Sequence, residues 1–197
     1  MQFEDVTHRR RMIRNFDATP VPPELVEELI DVARRSPSAG YSQGVDFVVL
    51  QGDDETALFW DMPGVRDFWD QRFPGLLRVP VIVLPVADSG RYLRRYSEPD
   101  KAAAGLQEAS AWPVPYWLVD TAMATMTLLL AVVDAGLGAL FFGLREYGPL
   151  LERLGVPADR EPIGVVAIGH PADKVRTGSP VTRPRRPLSE VLHHGRW

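Results

Sequence analysis

Residues 116–138, YWLVDTAMATMTLLLAVVDAGLG, contain the longest apolar run of this 197-residue chain. The run predicts a helix over residues 116–135, which Gly136 and Gly138 bring to an end. Its apolar positions cover more than one face: Leu118, Val119, Ala122, Met123, Met126, Leu128, Leu129, Leu130, Val132 and Val133. A helix that is apolar on most sides must be covered on most sides. It is therefore predicted to lie at the centre of the fold or in an interface between two copies of the chain.

The same helix is too short to predict a membrane span. Its nearly uncharged part, residues 121–133, ends at Asp134, well short of the ~20 residues that a span needs. Residues 1–5 carry no basic stretch followed by an apolar one, so we expect no secretory signal. The chain also contains no cysteine, which favours the reducing cytoplasm and excludes disulfides, cysteine nucleophiles and cysteine-ligated metals.

Shorter elements flank this helix on both sides. Downstream, residues 139–142 and 163–168 predict strands, and residues 149–154 predict a short helix. Upstream, the prolines of residues 20–23 introduce a helix that runs to Ala33, with glutamates early and arginines late as the helix dipole favours.

Two further runs, residues 47–50 and 79–84, predict buried strands. Helices and strands are interleaved without a clean alternation, which predicts an α+β fold in a single domain over residues 1–197. Residues 53–78 predict irregular helical turns. Residues 88–115 predict a long polar loop with aromatic side chains and a functional role, and the chain from about residue 181 predicts an extended, Pro- and Arg-rich tail.

Charge is distributed unevenly along the chain. The 22 Lys and Arg residues against 26 Asp and Glu residues give a net charge of −4, which disfavours nucleic acid as a partner. Only Lys101 and Lys174 are lysines, and arginines are concentrated in residues 9–14 and 183–186. Arginine binds phosphate and carboxylate in a bidentate manner, although a genome rich in arginine codons is an equally simple explanation.

No side-chain constellation predicts chemistry by itself. Gly136 and Gly138 do not form a dinucleotide fingerprint, because Phe141 stands where the third glycine belongs and the helix precedes the strand. The histidines, His8, His170, His193 and His194, lack the spacing of metal ligands. An enzyme without such groups needs a cofactor for the difficult step, and the arginine clusters suit an anionic, planar one.

Several blocks resemble the nitroreductase superfamily, in that family's order. They are residues 8–17 (HRRRMIRNFD), 20–22, 33–43 (ARRSPSAGYSQ), 128–139, 165–171 and 183–188. The resemblance implies an FMN-dependent oxidoreductase with a central, mostly antiparallel sheet flanked by helices. It also implies an intertwined homodimer with one flavin at each end of the interface. Members take a hydride from NADH or NADPH onto flavin N5 and pass electrons to nitroaromatics, quinones or enones by a ping-pong route.

The resemblance also implies the site residues. The FMN phosphate and ribityl chain would be held by Arg10, Arg11, Arg14, Arg183 and Arg185. The flavin would be contacted from the partner subunit by Pro37, Ser38 and Ala39, and the strand end Phe142, Gly143 and Leu144 would offer a backbone N–H to N5. Gln43 falls at a flavin edge. Tyr41, Trp112 and Tyr116 are candidate substrate contacts, with core packing as the alternative for Trp112 and Tyr116.

Three positions depart from the family pattern. Met12 replaces a serine whose hydroxyl contacts the flavin tail, Tyr41-Ser42-Gln43-Gly44-Val45 replaces Asn-Ser-Gln-Pro-Trp, and Gly143 replaces an acidic residue. Two alternatives to an NAD(P)H oxidoreductase therefore stay open. One is a flavin enzyme with a deazaflavin donor or an oxidase activity on a specific metabolite, and the other is a non-catalytic flavin-binding protein.

Overall fold

The computed structural model describes residues 1–172 and 182–197. The helices of these residues are α1 (Phe3–Arg9), α2 (Pro23–Ala33), α3 (Gly52–Trp60), α4 (Val65–Asp70), α5 (Ser89–Tyr96), α6 (Tyr116–Asp134) and α7 (Gly148–Arg153). The strands are β1 (Val45–Gln51), β2 (Val81–Asp88), β3 (Gly138–Phe142), β4 (Arg160–Pro162) and β5 (Val165–Gly169).

The strands form one sheet in the order β1-β2-β5-β3, with β4 also paired to β2. Every pair in this sheet is antiparallel. The prediction of an α+β fold with an antiparallel sheet flanked by helices is confirmed. The predicted strands over residues 47–50 and 79–84 correspond to β1 and β2, although β2 continues through Pro85 to Asp88.

Both faces of the sheet are buried, because alternate residues of β2 point into two different cores. Ile82 and Leu84 pack on one face with side chains from α3 and α7, whereas Val81 and Val83 pack on the other face with side chains from α2 and α6. This arrangement explains why every residue of β2 is buried and why its sequence lacks the alternation of a half-exposed strand.

α6 ends where the sequence predicts. Gly136 has a φ of 78°, and the Leu137 N–H donates back to the Val132 carbonyl, so the helix closes in the left-handed conformation that glycine adopts readily. By length and composition alone, α6 could also cross a membrane. Half of its most apolar window is buried inside the protein, as expected of a core helix.

The prediction of a loop over residues 88–115 is wrong at its start, because residues 89–96 form α5. The Asp88 carboxylate accepts a hydrogen bond from the Arg91 N–H and caps this helix, and Tyr92 is fully buried beneath it. Two single 3₁₀ turns, Ala102–Ala104 and Ala109–Ala111, follow. The predicted tail begins at about residue 181, outside the described residues, and residues 182–197 are exposed throughout.

Candidate functional site

The segment that carries the first arginine cluster is fastened to the sheet. Met12 forms a parallel bridge with Ala139 of β3, and the Ile13 N–H donates to the Ala139 carbonyl at 2.8 Å. The approach is so close that a Cβ at Gly138 would lie 2.8 Å from both Ile13 and Pro171. The backbone of residues 9–14, the arginine segment, is therefore held firmly against the sheet.

Met12 has a packing role that explains its departure from serine. Its sulfur lies 3.4 Å from the Phe141 nitrogen, and its side chain packs against both cores. A thioether is a weak acceptor without a proton to donate, so this position supplies no hydroxyl contact to a cofactor.

The arginines of this segment are half-buried at Arg10, Arg11 and Arg14. The Arg14 guanidinium lies 5.4 Å from the centre of the Phe73 ring and donates to the Met12 carbonyl. Within residues 1–172 and 182–197, no aspartate or glutamate forms an ion pair with Arg10 or Arg14. These cations therefore retain the capacity to bind an anion.

Arg183 and Arg185 are exposed. Among the residues described, no hydrogen bond or ion pair joins Arg183 or Arg185 to Arg10 or Arg14. Residues 173–181, which precede Arg183, lie outside the described residues.

Residues 38–43, the 38–43 turn, have an unusual backbone. Gly40, Tyr41 and Gln43 have φ values of 61°, 59° and 51°, a region that residues other than glycine seldom adopt. The turn is closed by hydrogen bonds from the Tyr41 N–H to the Ser38 carbonyl and from the Gln43 N–H to Ser38 Oγ. Strained backbone of this kind is concentrated at functional sites.

The three predicted substrate contacts lie in different environments. Tyr41 is 77% exposed at the tip of the turn, and Tyr116 is half-exposed at the start of α6. Trp112 is only 9% exposed and packs edge-on against Tyr92, while its indole N–H donates to the Leu106 carbonyl. This burial favours the packing alternative for Trp112.

The strand end predicted to face the flavin lies at residues 142–144, just after β3. Phe142 is buried in the core. The Leu144 N–H donates to Tyr147 Oη at 3.1 Å, so one of the candidate backbone donors in this strand end already has a partner. Tyr147 was not predicted from the sequence. The one feature that could have indicated this contact is its spacing of three residues from Leu144.

The 38–43 turn and the arginine segment lie at opposite ends of α6. The turn is tied to Asp120 in the first turns of the helix, where the Ala39 N–H donates to Asp120 Oδ2 at 2.8 Å. The arginine segment lies beside the other end of α6, where Ile13 packs against Gly138 just beyond the helix. At 1.5 Å per residue, the stretch of α6 from Asp120 to Asp134 is about 20 Å long.

Within the described residues there is no group of three or more His, Asp or Glu side chains that could hold a metal ion. Two polar side chains, Asp120 and Tyr92, are instead buried together beneath the 38–43 turn. Their burial is not explained by the site residues discussed so far. Neither residue was predicted as part of a site from the sequence, although a single carboxylate inside an almost uniformly apolar helix is a signal in its own right.

Known proteins resemble this chain over most of its length. An FMN reductase (NAD(P)H) of Bacillus subtilis is 26% identical over 189 residues, covering 93% of this chain and 69% of that protein. An NADPH-dependent oxidoreductase of Staphylococcus epidermidis is 23% identical over 197 residues, covering 98% and 73%.

A crystal structure from Exiguobacterium sibiricum, described as a nitroreductase in complex with FMN, superposes with a TM-score of 0.74. It is 17% identical, with 98% of this chain and 97% of that chain covered. The model of the Nitroreductase family matches residues 7–170. Since this match takes in the arginine segment, the 38–43 turn, α6 and the whole sheet, the chain belongs to the nitroreductase family.

Proposed function

We propose that this protein is an FMN-dependent oxidoreductase that takes electrons from NADH or NADPH. It passes them to a small organic acceptor, such as a nitroaromatic, a quinone or an enone, by a ping-pong route. Family membership supports this proposal, as do relatives named for FMN reduction and NADPH-dependent oxidation. We also propose a cytoplasmic location, since the chain has no cysteine.

The observation that carries the proposal is the donor set of the arginine segment. Arg34 and Arg35, just after α2, are paired with Asp31, whereas Arg10 and Arg14 have no carboxylate partner among the residues described. A phosphate dianion fits such unneutralised, half-buried guanidinium groups. The residues present therefore fit the phosphate of FMN, and Arg183 and Arg185 would complete the cluster.

FMN, when bound, supplies the hydride-accepting ring that the side chains of this protein lack. The role of the chain is then to hold the phosphate through the arginine segment and to orient the ring. Residues 142–144 would face the ring and offer a backbone N–H. Tyr147 has to give up its hydrogen bond before Leu144 can be that donor.

A second copy of the chain would complete the site. Tyr116, Val119, Met123 and Met126 form a stripe of half-exposed apolar side chains along α6, the α6 stripe, with exposed fractions between 37% and 42%. Two such stripes packed about a two-fold axis bury each other. If the paired helices run antiparallel, the arginine segment of one copy comes close to the 38–43 turn of the other.

In this arrangement, the turn of one copy meets the arginine segment of the other, although within one chain the two lie at opposite ends of α6, about 20 Å apart along the helix. Residues 37–39 would reach the flavin from the partner, as the family resemblance implies. Tyr41 and Tyr116 would then lie beside the ring, where the acceptor enters. The proposed oligomer is thus a homodimer with two composite sites.

An absorption spectrum with reductant titration tests the proposal. The purified protein is loaded with FMN, freed of excess cofactor and titrated anaerobically with NADH or NADPH. Bleaching of the visible flavin band, followed by its return when a quinone or nitroaromatic is added, is the expected result.

Other results of the same titration would reject the proposal in distinct ways. Bleaching only by a reduced deazaflavin would identify the alternative donor. Bound FMN that turns over with no combination of donor and acceptor would identify a flavin-binding protein. Failure to bind FMN at micromolar concentration would remove the cofactor assignment itself.

A further inference from the structure

Asp120 is a buried carboxylate that the proposed mechanism does not use. It is 4% exposed on α6, and within residues 1–172 and 182–197 no Lys, Arg or His forms an ion pair with it. Burying a charged group without a counter-ion is costly unless hydrogen bonds compensate. An aliphatic residue would pack here at lower free energy, so packing alone does not account for Asp120.

Both hydrogen bonds that reach Asp120 end on the same oxygen. Oδ2 accepts the Tyr92 hydroxyl at 2.7 Å and the Ala39 backbone N–H at 2.8 Å. Burial and the neighbouring carboxylate raise the pKa of Tyr92, so this hydroxyl keeps its proton and remains a donor. The carboxylate therefore joins α5, α6 and the 38–43 turn at one point.

The turn needs such support from outside. Its positive φ angles at Tyr41 and Gln43 are unfavourable for residues with a side chain. The hydrogen bonds within the turn join residues of the turn to each other. They do not anchor the turn to the rest of the protein. Strained conformations persist only where the surroundings over-determine them.

α5 supplies further contacts to the turn. Arg95 Nε donates to the Gly40 carbonyl at 2.9 Å, and the same guanidinium is held by two hydrogen bonds to Asp100. The Tyr96 ring lies where a Cβ at position 40 would come within 2.8 Å of it. The turn is thus held at Gly40 by α5 and at Ala39 by Asp120.

We infer that Asp120 is a positioning residue, which acts with Tyr92 to fix the 38–43 turn so that Ala39 meets the flavin and Tyr41 meets the acceptor. This inference rests on the proposed function for what the turn contacts. The anchoring of the turn rests on the hydrogen bonds alone. Asp120 itself lies below the turn and touches neither ligand.

Because one oxygen accepts both hydrogen bonds, two substitutions at Asp120 can separate the role of this acceptor from the role of the charge. Asp120→Asn keeps the size and one accepting oxygen but replaces the other oxygen and its charge with an amide NH2 group, whereas Asp120→Ala removes the acceptor and leaves both donors without a partner. Tyr92→Phe removes one of the two bonds and keeps the ring packing. Thr125→Val is the matched control, since Thr125 is buried on the same helix and its hydroxyl donates only to the Thr121 carbonyl.

The first measurement is hydrogen exchange in the cofactor-free protein, over a peptide that contains Ala39 and Gln43. In Asp120→Ala the amides of this peptide are expected to exchange at least tenfold faster than in the parent. Asp120→Asn and Thr125→Val are expected to stay within about threefold. If Asp120→Ala does not fold, Tyr92→Phe decides the same question, with a smaller acceleration expected.

The second measurement is the affinity for FMN together with kcat and KM for a quinone acceptor. We expect Asp120→Ala to weaken FMN binding about tenfold or more and to raise the acceptor KM more than it lowers kcat. Asp120→Asn should restore both values and Thr125→Val should leave them unchanged. Parent-like FMN affinity and KM in Asp120→Ala, or equal losses in Thr125→Val, would overturn the inference.

The two measurements separate this inference from the proposed function. A parent protein that binds no FMN would reject the proposed function, and the exchange data would then decide alone whether Asp120 holds the turn. A parent that binds and reduces FMN, with an Asp120→Ala variant that does so equally well, would reject only the positioning role.

Discussion

Tyr147 Oη lies 3.1 Å from the Leu144 nitrogen and accepts its N–H. The bond closes the chain just after β3, at the place where the family resemblance expects a donor to flavin N5. If the Leu144 N–H is the donor to flavin N5, the Tyr147 hydroxyl competes with the cofactor for that N–H.

Tyr147→Phe is expected to strengthen FMN binding. Removing the hydroxyl frees the Leu144 N–H, and the gain should be at most the net value of one neutral hydrogen bond, ~0.5–1.5 kcal/mol. Fluorescence titration of FMN into parent and variant measures the difference. Weaker binding by the variant would instead mean that the Tyr147 hydroxyl itself contacts the cofactor.

Arg14→Ala and Arg185→Ala should each weaken FMN binding by ~1.5–3 kcal/mol, the value of a hydrogen bond to a charged group. The matched control is Arg34→Ala, because Arg34 is exposed just after α2 and paired with Asp31. The same FMN titration checks all three variants. If both test variants bind FMN as tightly as the control does, these arginines do not form the phosphate site.

Met123→Glu and Met126→Glu should dissociate the proposed dimer, since each places a charge in the α6 stripe. Light scattering after size-exclusion chromatography gives the mass, and FMN binding should be lost together with the dimer because the site is composite. Phe68→Glu is the control, as Phe68 is similarly exposed on α4, on the other side of the sheet. A monomeric parent with FMN fully bound would contradict both the interface and the composite site.

Trp112 and Tyr116 should respond differently to truncation. Trp112→Ala removes a buried ring and is expected to lower the free energy of unfolding by ~3–5 kcal/mol. Tyr116→Ala removes a half-exposed ring, so it should lower the free energy of unfolding by less than Trp112→Ala does and should also alter the acceptor KM. Urea denaturation and steady-state kinetics measure the two effects, and equal losses of stability would show that both residues serve packing.

The free energy of unfolding should depend on pH through Asp100. Its hydrogen bonds from Arg95 lower its pKa below the ordinary value of 3.8. A lowered pKa in the folded state adds stability that is fully present above pH 3.8 and is lost as the pH falls below it. The stability difference between the parent and Asp100→Asn should therefore shrink as the pH is lowered from 5 towards 2. A difference that stays constant over this range would show that the ion pair contributes nothing.

Sequence patterns predicted the sheet and α6 well, because both depend on runs of apolar residues that only one arrangement buries. They failed at α5, whose eight residues carry three arginines and two tyrosines. The burial of Tyr92 and the cap at Asp88 stabilise that helix through tertiary contacts, which helix propensity does not include.

Only part of the candidate site is visible in the sequence. The arginine segment is contiguous in the sequence, so its charge is visible there. The backbone of the 38–43 turn is not, because Tyr41 and Gln43 adopt positive φ without being glycine. Asp120 and Tyr92 are 28 positions apart, and only the folded chain brings them together.

The length of α6 is under tighter constraint than its composition. An exchange such as Leu for Met inside the helix conserves volume and usually costs less than ~1.5 kcal/mol. Deleting one residue between Asp120 and Asp134 would instead rotate one end against the other by about 100° and shorten the helix by about 1.5 Å. The helix thus fixes both the distance and the rotation between the features along it. These are Asp120, which anchors the turn, the exposed Met123 and Met126, and Asp134, which pairs with Met1.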